Sequence, residues 1–462
     1  MEQALYEVRQ KIYPRAVHGT FAAWRWTFVL LTQLVFYGVP WLTWNDRQAV
    51  LFDLAARKFY ILSLVFWPQD IVYLTVLLIV SAYSLFVFTA VAGRLWCGFA
   101  CPQTVYTEIF MWIERNVEGD RLARMKLDRQ PLSARKITRK GVKHGLWIAL
   151  SLWTGFTFVG FFTPIQALGR DVLALHTGPW ETFWMLFYGF ATYGNAGWMR
   201  EQVCKYMCPY ARFQGVMFDP DTLVITYDSG RGEPRGSRAR GADLKAKGLG
   251  DCVDCGICVQ VCPTGIDIRK GLQYECIGCA ACIDGCNQVM DKMGYPTGLI
   301  RYSTENALKN HLPPQSMLKR ILRPRVLAYS AVLWLIIGAA LVTLYHRVPL
   351  KVDVIRDRGN VMRDGDDEIQ NVYRLQIMNT QEIARDLHIS VSGIDGIEIA
   401  GESGPIRIAP ASARTVPVRV EVPRASVSKG SNRIVFSVLA TDAARPDDEP
   451  LKVDEKASFL AP

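Results

Sequence analysis

The residues of this chain that could do chemistry are its twelve cysteines, all of which fall in patterned groups. Eight of them form two runs of C-x2-C-x2-C-x3-C, spelled CVDCGICVQVCP and CIGCAACIDGC. Three thiolates two residues apart can bind three corners of one 4Fe–4S cluster, while the fourth reaches the neighbouring cluster. Zinc is the alternative, but it takes four ligands in one tetrahedron, which the doubled pattern fits poorly. We therefore predict two 4Fe–4S clusters, one bound by Cys252, Cys255, Cys258 and Cys286 and one by Cys276, Cys279, Cys282 and Cys262.

The other four cysteines lie in a second motif, C-x3-C-P, which occurs twice at an offset of 107 residues. The copies are CGFACP, with Cys97 and Cys101, and CKYMCP, with Cys204 and Cys208. Each copy follows an apolar segment, so we predict a duplicated helical hairpin that brings both pairs to one site at one membrane face. We take these four as candidate catalytic residues whose thiolates would suit a soft metal such as Cu(I) or a redox exchange.

The proline of each C-x3-C-P motif predicts where a new helix begins. Proline is favoured at the first helical position, so Cys101 is expected at a helix N-cap, where the helix dipole favours a thiolate. A low thiol pKa at this position would suit Cu(I) binding or redox exchange. The alternative is that these four are small buried cysteines that only pack a helical bundle.

Five segments without any charged residue approach the roughly 20 residues that cross a bilayer. We predict them as transmembrane helices: Trp26–Trp44, Ile71–Gly93, Gly145–Thr163, Thr182–Met199 and Val326–Tyr345. The apolar, charge-balanced loop 45–70 is expected to be an interfacial helix on the outer side. A mean hydropathy of +0.10 and 50% hydrophobic residues agree with a membrane protein and exclude a disordered chain.

The distribution of basic residues predicts the orientation in the membrane. The loops 94–144 and 200–325 are rich in Lys and Arg, whereas residues 346–462 hold 16 basic and 18 acidic residues. By the positive-inside rule the N-terminus and both basic loops are cytoplasmic, and the C-terminus is periplasmic. All twelve cysteines then face the reducing compartment, where disulfides are not expected.

The tail from residue 350 alternates apolar and polar residues in short runs separated by Gly, Pro and Asp. This pattern predicts an all-β sandwich of about seven strands. The expected organisation is a cytoplasmic segment 1–25; four transmembrane helices with both C-x3-C-P motifs in 26–208; a linker and dicluster ferredoxin-like domain in 209–325, with its core in 248–290; a fifth transmembrane helix 326–345; and an immunoglobulin-like periplasmic domain 346–462.

The sequence has no G-x-x-x-x-G-K-[ST] and no G-x-G-x-x-G, so nucleotide binding by those motifs is not expected. The electrons must therefore come from a separate cytoplasmic donor. The arginines of 228–250 are interpreted as a basic linker that faces the membrane, with no nucleic acid as a partner.

Together the five predicted spans, both C-x3-C-P motifs, the dicluster insert and the outer β-sandwich resemble the CcoG/FixG/RdxA family. The resemblance covers essentially the whole chain, including RLWCGFACPQTVYTEIFMWIERNVEGDR. It implies a multi-pass protein of the bacterial inner membrane that reduces Cu(II) to Cu(I) on the cytoplasmic side. The Cu(I) would supply assembly of cbb3-type cytochrome c oxidase, so the implied partners are a copper carrier or oxidase assembly factors.

Two other functions stay open from the sequence. C-x3-C-P hairpins with a ferredoxin insert also resemble the membrane subunits of periplasmic nitrate and nitrous oxide reductase systems, so the chain could be a quinol- or quinone-linked electron-transfer subunit. It could also be a non-enzymatic scaffold for oxidase assembly. Whether the chain forms a homo-oligomer is left open.

Overall fold

The computed structural model describes residues 11–240, 248–310, 312–313, 320–356, 362–364, 368–401, 404–445 and 450–461. Of the predicted basic linker, residues 241–247 lie outside the described residues. The chain divides into two compact units. Unit 1 consists of Met1–Trp41 and Thr75–Gly338, and unit 2 consists of Leu42–Leu74 and Ala339–Pro462.

Most of unit 1 is helical. Two of its α-helices extend into unit 2, α2 at its start and α14 at its end. The α-helices are α1 (Thr20–Gly38), α2 (Ile71–Ala92), α3 (Leu95–Phe99), α4 (Pro102–Glu118), α5 (Arg121–Arg129), α6 (Ala134–Val159), α7 (Ile165–Leu173), α8 (Pro179–Thr192), α9 (Pro209–Met217), α10 (Ser229–Gly232), α11 (Ile257–Gln260), α12 (Ala281–Met293), α13 (Glu305–Lys309) and α14 (Pro324–Tyr345). Two π-helical segments, Tyr193–Met199 and Val203–Met207, lie between α8 and α9.

The strands form five sheets, all of them antiparallel. In chain order they are β1 (Thr43–Trp44), β2 (Arg47–Gln48), β3 (Val50–Asp53), β4 (Lys58–Ile61), β5 (Leu64–Phe66), β6 (Val224–Tyr227), β7 (Ile300–Ser303), β8 (Leu350–Arg356), β9 (Met362–Asp364), β10 (Glu368–Asn379), β11 (Arg385–Ser392), β12 (Glu398–Ala400), β13 (Ile406–Ile408), β14 (Ala413–Pro423), β15 (Gly430–Asp442) and β16 (Leu451–Ala461).

Each of the five predicted spans contains a helix, although Trp26–Trp44 ends in β1, and the helices differ in whether they are long and apolar enough to cross a membrane. Within the described residues two helices are long and apolar enough, Pro68–Ala92 and Pro324–Tyr345. Of the other three, α6 begins in a basic stretch, and α8 has only 14 residues before the chain becomes π-helical at Tyr193. A membrane-associated protein is therefore supported, while the count of five spans stays a prediction.

Helices α6 and α8 pack against each other at glycines, which allow their backbones to approach closely. A Cβ atom placed on Gly155 of α6 would lie 2.1 Å from the carbonyl oxygen of Met185 in α8. Gly189 of α8 would likewise place a Cβ 3.3 Å from the carbonyl oxygen of Ser151. This close crossing joins the second predicted hairpin of unit 1.

Buried charges connect α4 to the helices that follow it. Glu114 is 2% exposed and accepts hydrogen bonds from Arg124 Nη1 at 2.9 Å and from Arg200 Nη2 at 3.0 Å. Glu118, one turn later, pairs with Lys143 Nζ at 3.0 Å. Burial alone would raise the pKa of Glu114, yet the surrounding cations hold it below its ordinary value. This network fixes the helix that starts immediately after Cys101.

The predicted interfacial helix over 45–70 is wrong, because this segment forms β2–β5. Val50 pairs with Ile61 and Asp53 with Lys58 in one hairpin, and Phe59 pairs with Phe66 in the next. Short runs of β-branched and aromatic residues favour strands. Two turn residues have positive φ, Arg57 at 55° and Leu62 at 53°. Because the chain reverses direction at each of these turns, the segments between them are too short for a helix.

Unit 2 also contains the predicted β-sandwich. One sheet has the order β12-β14-β10-β8 with β9 paired to β10, and the other has the order β13-β11-β15-β16. Their shared core includes Tyr373, Leu375, Phe436 and Phe459, all with 0% exposure. The two-sheet architecture is confirmed. The described strands number nine instead of about seven, because β9 and β16 were not among the predicted strands.

Candidate functional site

The first predicted set of four cysteines lines one small cavity, together with Arg269. Cys252 is buried in the loop that begins this segment, Cys258 is buried in α11, and Cys286 reaches the cavity from α12. The loop can curl around the cavity because Asp254 has a φ of 53°. Burial, and then the charges of Cys258, Cys252 and Cys255, raise the pKa of Cys286 to about 12. Cys286, which belongs to the other sequence run, therefore lies at this cavity as predicted.

The second predicted set lines a neighbouring cavity, which contains Cys262, Cys276, Cys279 and Cys282. Burial raises the pKa of Cys276 to about 12 and that of Cys279 to about 11, and neighbouring thiols add to both increases. Such thiolates are strongly disfavoured in a buried cavity unless a metal centre compensates their charge.

The donor chemistry of both cavities fits 4Fe–4S clusters, since each is lined by the four cysteines of one predicted set. Cys258 of the first set also borders the second cavity, so the two cavities are adjacent. Among the described residues, no group of three or more His, Cys, Asp or Glu is placed to hold a single metal ion. The structure brings each predicted set of cysteines together, while the ligand assignment itself stays a prediction.

Both C-x3-C-P motifs have the local geometry that their prolines predict. Cys101 is the N-cap of α4 and Cys208 is the N-cap of α9, each with extended backbone and with proline at the first helical position. The first cysteine of each motif lies in the turn before that helix, Cys97 in α3 and Cys204 in the π-helical segment. The two copies therefore end in equivalent turns, although their turn types differ.

The four thiols of the C-x3-C-P motifs lie close together, as predicted. Cys204 interacts electrostatically with Cys101, Cys97 and Cys208, and Cys97 interacts with Cys101 and Cys208. The Cys97 thiol also donates a hydrogen bond of 3.3 Å to Oε1 of Gln214, which is fully buried. Gln214 was not expected from the sequence, because no motif marks it.

The predicted low thiol pKa is wrong for Cys97, Cys101 and Cys204. Burial raises the pKa of Cys97 to about 11 and that of Cys204 to about 12, and it also raises the pKa of Cys101. The backbone N–H groups of Gln103 and Thr104 do lower the pKa of Cys101, as expected at an N-cap. Desolvation of the thiolate is larger than this effect.

The C-x3-C-P motifs and the two cluster cavities are direct neighbours. Cys97 and Cys204 pack against an apolar cluster that contains Cys279, and Cys282 packs against the same cluster. Phe99, inside the first C-x3-C-P motif, belongs to the cluster that contains Cys252, Cys258 and Cys286. All twelve cysteines thus belong to one continuous centre in unit 1.

Two buried arginines join the parts of this centre. Arg94 donates to the carbonyl oxygens of Tyr274 and Ala211, so it bridges the second cysteine run and α9. Arg25 of α1 donates from Nη1 to the carbonyl oxygen of Cys279 at 2.6 Å.

Helix α1 is also anchored on the ferredoxin-like domain. The backbone N–H of Ala22 donates to Oδ2 of Asp284 at 2.7 Å, and that of Phe21 donates to Oδ1 at 3.2 Å. A carboxylate at a helix N-terminus satisfies free backbone donors and complements the helix dipole. The cap comes from α12, which also provides Cys282 and Cys286, so α1 is held in place by the cluster-binding segment.

A cavity of about 310 Å³ adjoins the centre. Its wall includes Cys204 and Cys279, one thiol from a C-x3-C-P motif and one from the second cluster set. Charged side chains of both signs also line it, among them Arg25, Arg115 and Glu201. Its volume is in the range of small-molecule binding sites.

Comparison with known families gives three matches along the chain. A 4Fe–4S binding domain matches residues 74–119, which include Cys97 and Cys101. A 4Fe–4S dicluster domain matches residues 199–305, which include the other ten cysteines. The Ig-like fold at the C-terminus of FixG matches residues 340–462. Fold and site together define a ferredoxin-type iron–sulfur protein with a redox role.

Three similar proteins cover most of the chain. The nitrogen fixation protein FixG of Rhizobium meliloti is 36% identical over 95% of this chain and 91% of its own length. Two proteins of Cereibacter sphaeroides follow: RdxB is 40% identical over 88% of this chain and 87% of its own, and RdxA is 37% identical over 99% of each. The chain therefore belongs to the FixG/RdxA family.

Proposed function

We propose that this protein is a membrane-bound reductase that converts Cu(II) to Cu(I) on the cytoplasmic side. The observation that supports this most is the placement of the four C-x3-C-P thiols beside the second cluster cavity, with Cys97 and Cys204 packed on the same apolar residues as Cys279. When bound, 4Fe–4S clusters transfer single electrons. Reduction of Cu(II) to Cu(I) requires one electron, which is the number that one 4Fe–4S cluster transfers.

The C-x3-C-P thiols favour the product over the substrate. Thiolate is a soft ligand that selects Cu(I), whereas Cu(II) is commonly held by nitrogen and oxygen ligands in tetragonal geometry. Copper that enters among Cys97, Cys101, Cys204 and Cys208 would therefore be more stable after reduction, and its binding would displace thiol protons. Gln214 holds the Cys97 thiol by a hydrogen bond to its side-chain oxygen, which positions one sulfur in advance.

The biological role follows from family and topology. We propose that the Cu(I) supplies assembly of cbb3-type cytochrome c oxidase through a copper carrier or an assembly factor. The electrons come from a cytoplasmic donor. In this proposal the protein spans the bacterial inner membrane several times, with a cytoplasmic N-terminus and a periplasmic C-terminal domain. The basic loops 94–144 and 200–325 would then lie on the side where all cysteines lie.

The test is anaerobic. The full-length protein with its clusters is purified in detergent, reduced, and mixed with one equivalent of Cu(II). Cluster reoxidation is followed by visible absorbance, and Cu(I) by a specific chelator. We expect both signals to rise together. Serine at Cys97, Cys101, Cys204 and Cys208 should abolish Cu(I) formation and leave the iron bound by the other eight cysteines in place.

Two outcomes would contradict the proposal. If the clusters stay reduced with Cu(II) but are reoxidised by a water-soluble quinone, the protein is a quinone-linked electron-transfer subunit. If neither acceptor reacts and a cluster-free variant still supports oxidase assembly in cells, the protein is a scaffold. Turnover of Cu(II) by the four-serine variant would place the copper site elsewhere.

A further inference from the structure

The cavity of about 310 Å³ is much larger than a single copper ion requires, since one water molecule occupies about 30 Å³ in the liquid. Small organic ligands bind in cavities that begin near this size. Its wall contains Cys204 from a C-x3-C-P motif and Cys279 from the second cluster set, so the cavity borders both kinds of cysteine centre. The volume therefore points to an organic molecule next to the thiols.

Two charged residues in this wall are buried, and neither takes part in a described salt bridge. Arg25 is 6% exposed, and of its five donors only Nη1 has a described hydrogen bond, to the carbonyl oxygen of Cys279. Glu201 is 7% exposed, and its described bond is one of 2.9 Å from Gln202 Nε2. No described ion pair joins the two to each other. Arg25 also stabilises a thiolate at Cys279, since its charge lowers the pKa of that thiol, whereas no described cation faces Glu201. A buried charge without a partner is costly, so Glu201 favours a cationic group on a ligand.

The remaining charges of the wall fit the same ligand. Arg115 and Glu108 both line the cavity, and their side chains have no described hydrogen bond or ion pair. In contrast, Arg124 and Arg200 are already compensated by Glu114. The uncompensated groups therefore include cations and carboxylates, and arginine is suited to bind a carboxylate.

We propose that this cavity binds a zwitterionic ligand of the amino-acid or short-peptide class, with its carboxylate at Arg25 and Arg115 and its ammonium at Glu201. A thiol peptide bound there would take Cu(I) from Cys204. The Cys204–copper bond breaks, a bond from copper to the peptide sulfur forms, and the thiol proton moves to Cys204 without any change in oxidation state. This exchange rests on the proposed copper reduction, but the binding does not.

Binding is tested on the full-length protein with its clusters, by calorimetric titration with S-methylglutathione. This probe has the zwitterionic groups of a thiol peptide, but its blocked sulfur has no thiol to exchange for copper or cluster ligation. We expect saturable binding that weakens about tenfold or more in Glu201→Gln, which keeps the size of the side chain and removes its charge. Arg115→Gln should weaken it similarly. Arg135→Gln, at an exposed arginine of α6, is the control and should leave binding unchanged.

The outcomes separate this inference from the proposed function. Equal affinity in the unsubstituted protein, Glu201→Gln and Arg115→Gln, or no saturable binding at millimolar probe, would overturn the cavity assignment even if Cu(II) is reduced. If the probe binds in a charge-dependent way but the protein does not reduce Cu(II), the cavity assignment is supported and the proposed copper reduction is wrong. If the probe binds but unmodified glutathione fails to speed Cu(I) release, the ligand-exchange step is wrong.

Discussion

Gly98 and Gly278 face each other where the first C-x3-C-P motif meets the second ferredoxin-type run. A Cβ atom on Gly98 would lie 2.6 Å from the carbonyl oxygen of Gly278 and 2.8 Å from Cα of Cys279. Gly278 has a φ of 70°, a conformation that glycine adopts without strain. Each glycine is the direct neighbour of a cysteine, Cys97 on one side and Cys279 on the other. The two redox centres therefore meet backbone to backbone.

This contact predicts the effect of one added methyl group. In Gly98→Ala the new Cβ would meet backbone atoms, which cannot move aside as a flexible side chain can. We expect the first C-x3-C-P motif to move away from the second cluster cavity and the protein to lose about 1–3 kcal/mol of stability. Cu(II) reduction should slow at unchanged iron content. Stopped-flow reoxidation and thermal unfolding would measure these two effects.

Gly141→Ala is the matched control for Gly98→Ala. Gly141 is also helical, in α6, and a Cβ there has no heavy atom within 4 Å. Alanine is favoured over glycine in a helix interior by about 0.5–1 kcal/mol, so this variant should be as stable as the unsubstituted protein or slightly more stable. A Gly98→Ala protein that reduces Cu(II) at the unsubstituted rate would show that the close approach is unimportant for transfer.

The crossed grouping of the cysteines predicts which cluster each substitution removes. Cys286 lines the cavity of Cys252, Cys255 and Cys258, although it belongs to the other sequence run. Cys286→Ser should therefore affect the first cluster, and Cys262→Ser the second. In each variant we expect the iron of these two clusters to fall from about eight to about four atoms.

Spectroscopy separates this crossed pairing from an uncrossed one. In the reduced protein, two adjacent paramagnetic clusters broaden each other's EPR signals, so either single variant should give one simple signal. Because the second cavity adjoins Cys97 and Cys204, Cys262→Ser should abolish Cu(II) reduction. If Cys286→Ser instead removed the cluster of Cys276, Cys279 and Cys282, the predicted ligand sets would be wrong.

The sequence predicted those parts of the centre whose chemistry requires a fixed spacing. Cysteine runs and a proline after the second cysteine are local patterns, and Cys101 is an N-cap as expected. Cys208 has the equivalent position in the second copy of the motif. Gln214, Arg25 and Asp284 could not be predicted in their roles, because their partners Cys97, Cys279 and Ala22 are more than 100 residues away in sequence. Only the tertiary structure brings such residues together.

The two wrong predictions have physical causes that the sequence hides. The thiol pKa values depend on burial, and a helix N-terminus lowers the pKa of Cys101 by less than desolvation raises it. Segment 45–70 has an apolar composition that suits an interfacial helix or a small sheet. The strand register, with Val50 opposite Ile61, depends on the position of the turn at Leu54–Arg57, which the composition does not determine.

Removal of the buried anion Glu114 should destabilise unit 1. Glu114→Gln would leave Arg124, Lys143 and Arg200 around a neutral side chain, and Arg124 and Lys143 are 3% and 4% exposed. Breaking a buried pair in this way costs about 3–5 kcal/mol. Thermal unfolding in detergent would measure the loss. The exposed pair of Glu305 and Lys309 is the control, since Glu305→Gln should cost about 0.5 kcal/mol or less.

Asp70 should hold the strands β3–β5 of unit 2 against the sandwich. It is 4% exposed, it accepts from Arg347 Nη2 at 2.6 Å, and it also pairs with Lys351 at the start of β8. In Asp70→Asn both cations lose their buried anion, so we expect local opening of this segment with a cost of about 3–5 kcal/mol. Trypsin should then cleave faster at Arg57 and Lys58, next to the β3–β4 turn. Asp454→Asn, at an exposed ion pair of β16, is the control and should leave the cleavage rate unchanged. If trypsin cleaves both variants at the same rate, Asp70 does not anchor the strands β3–β5.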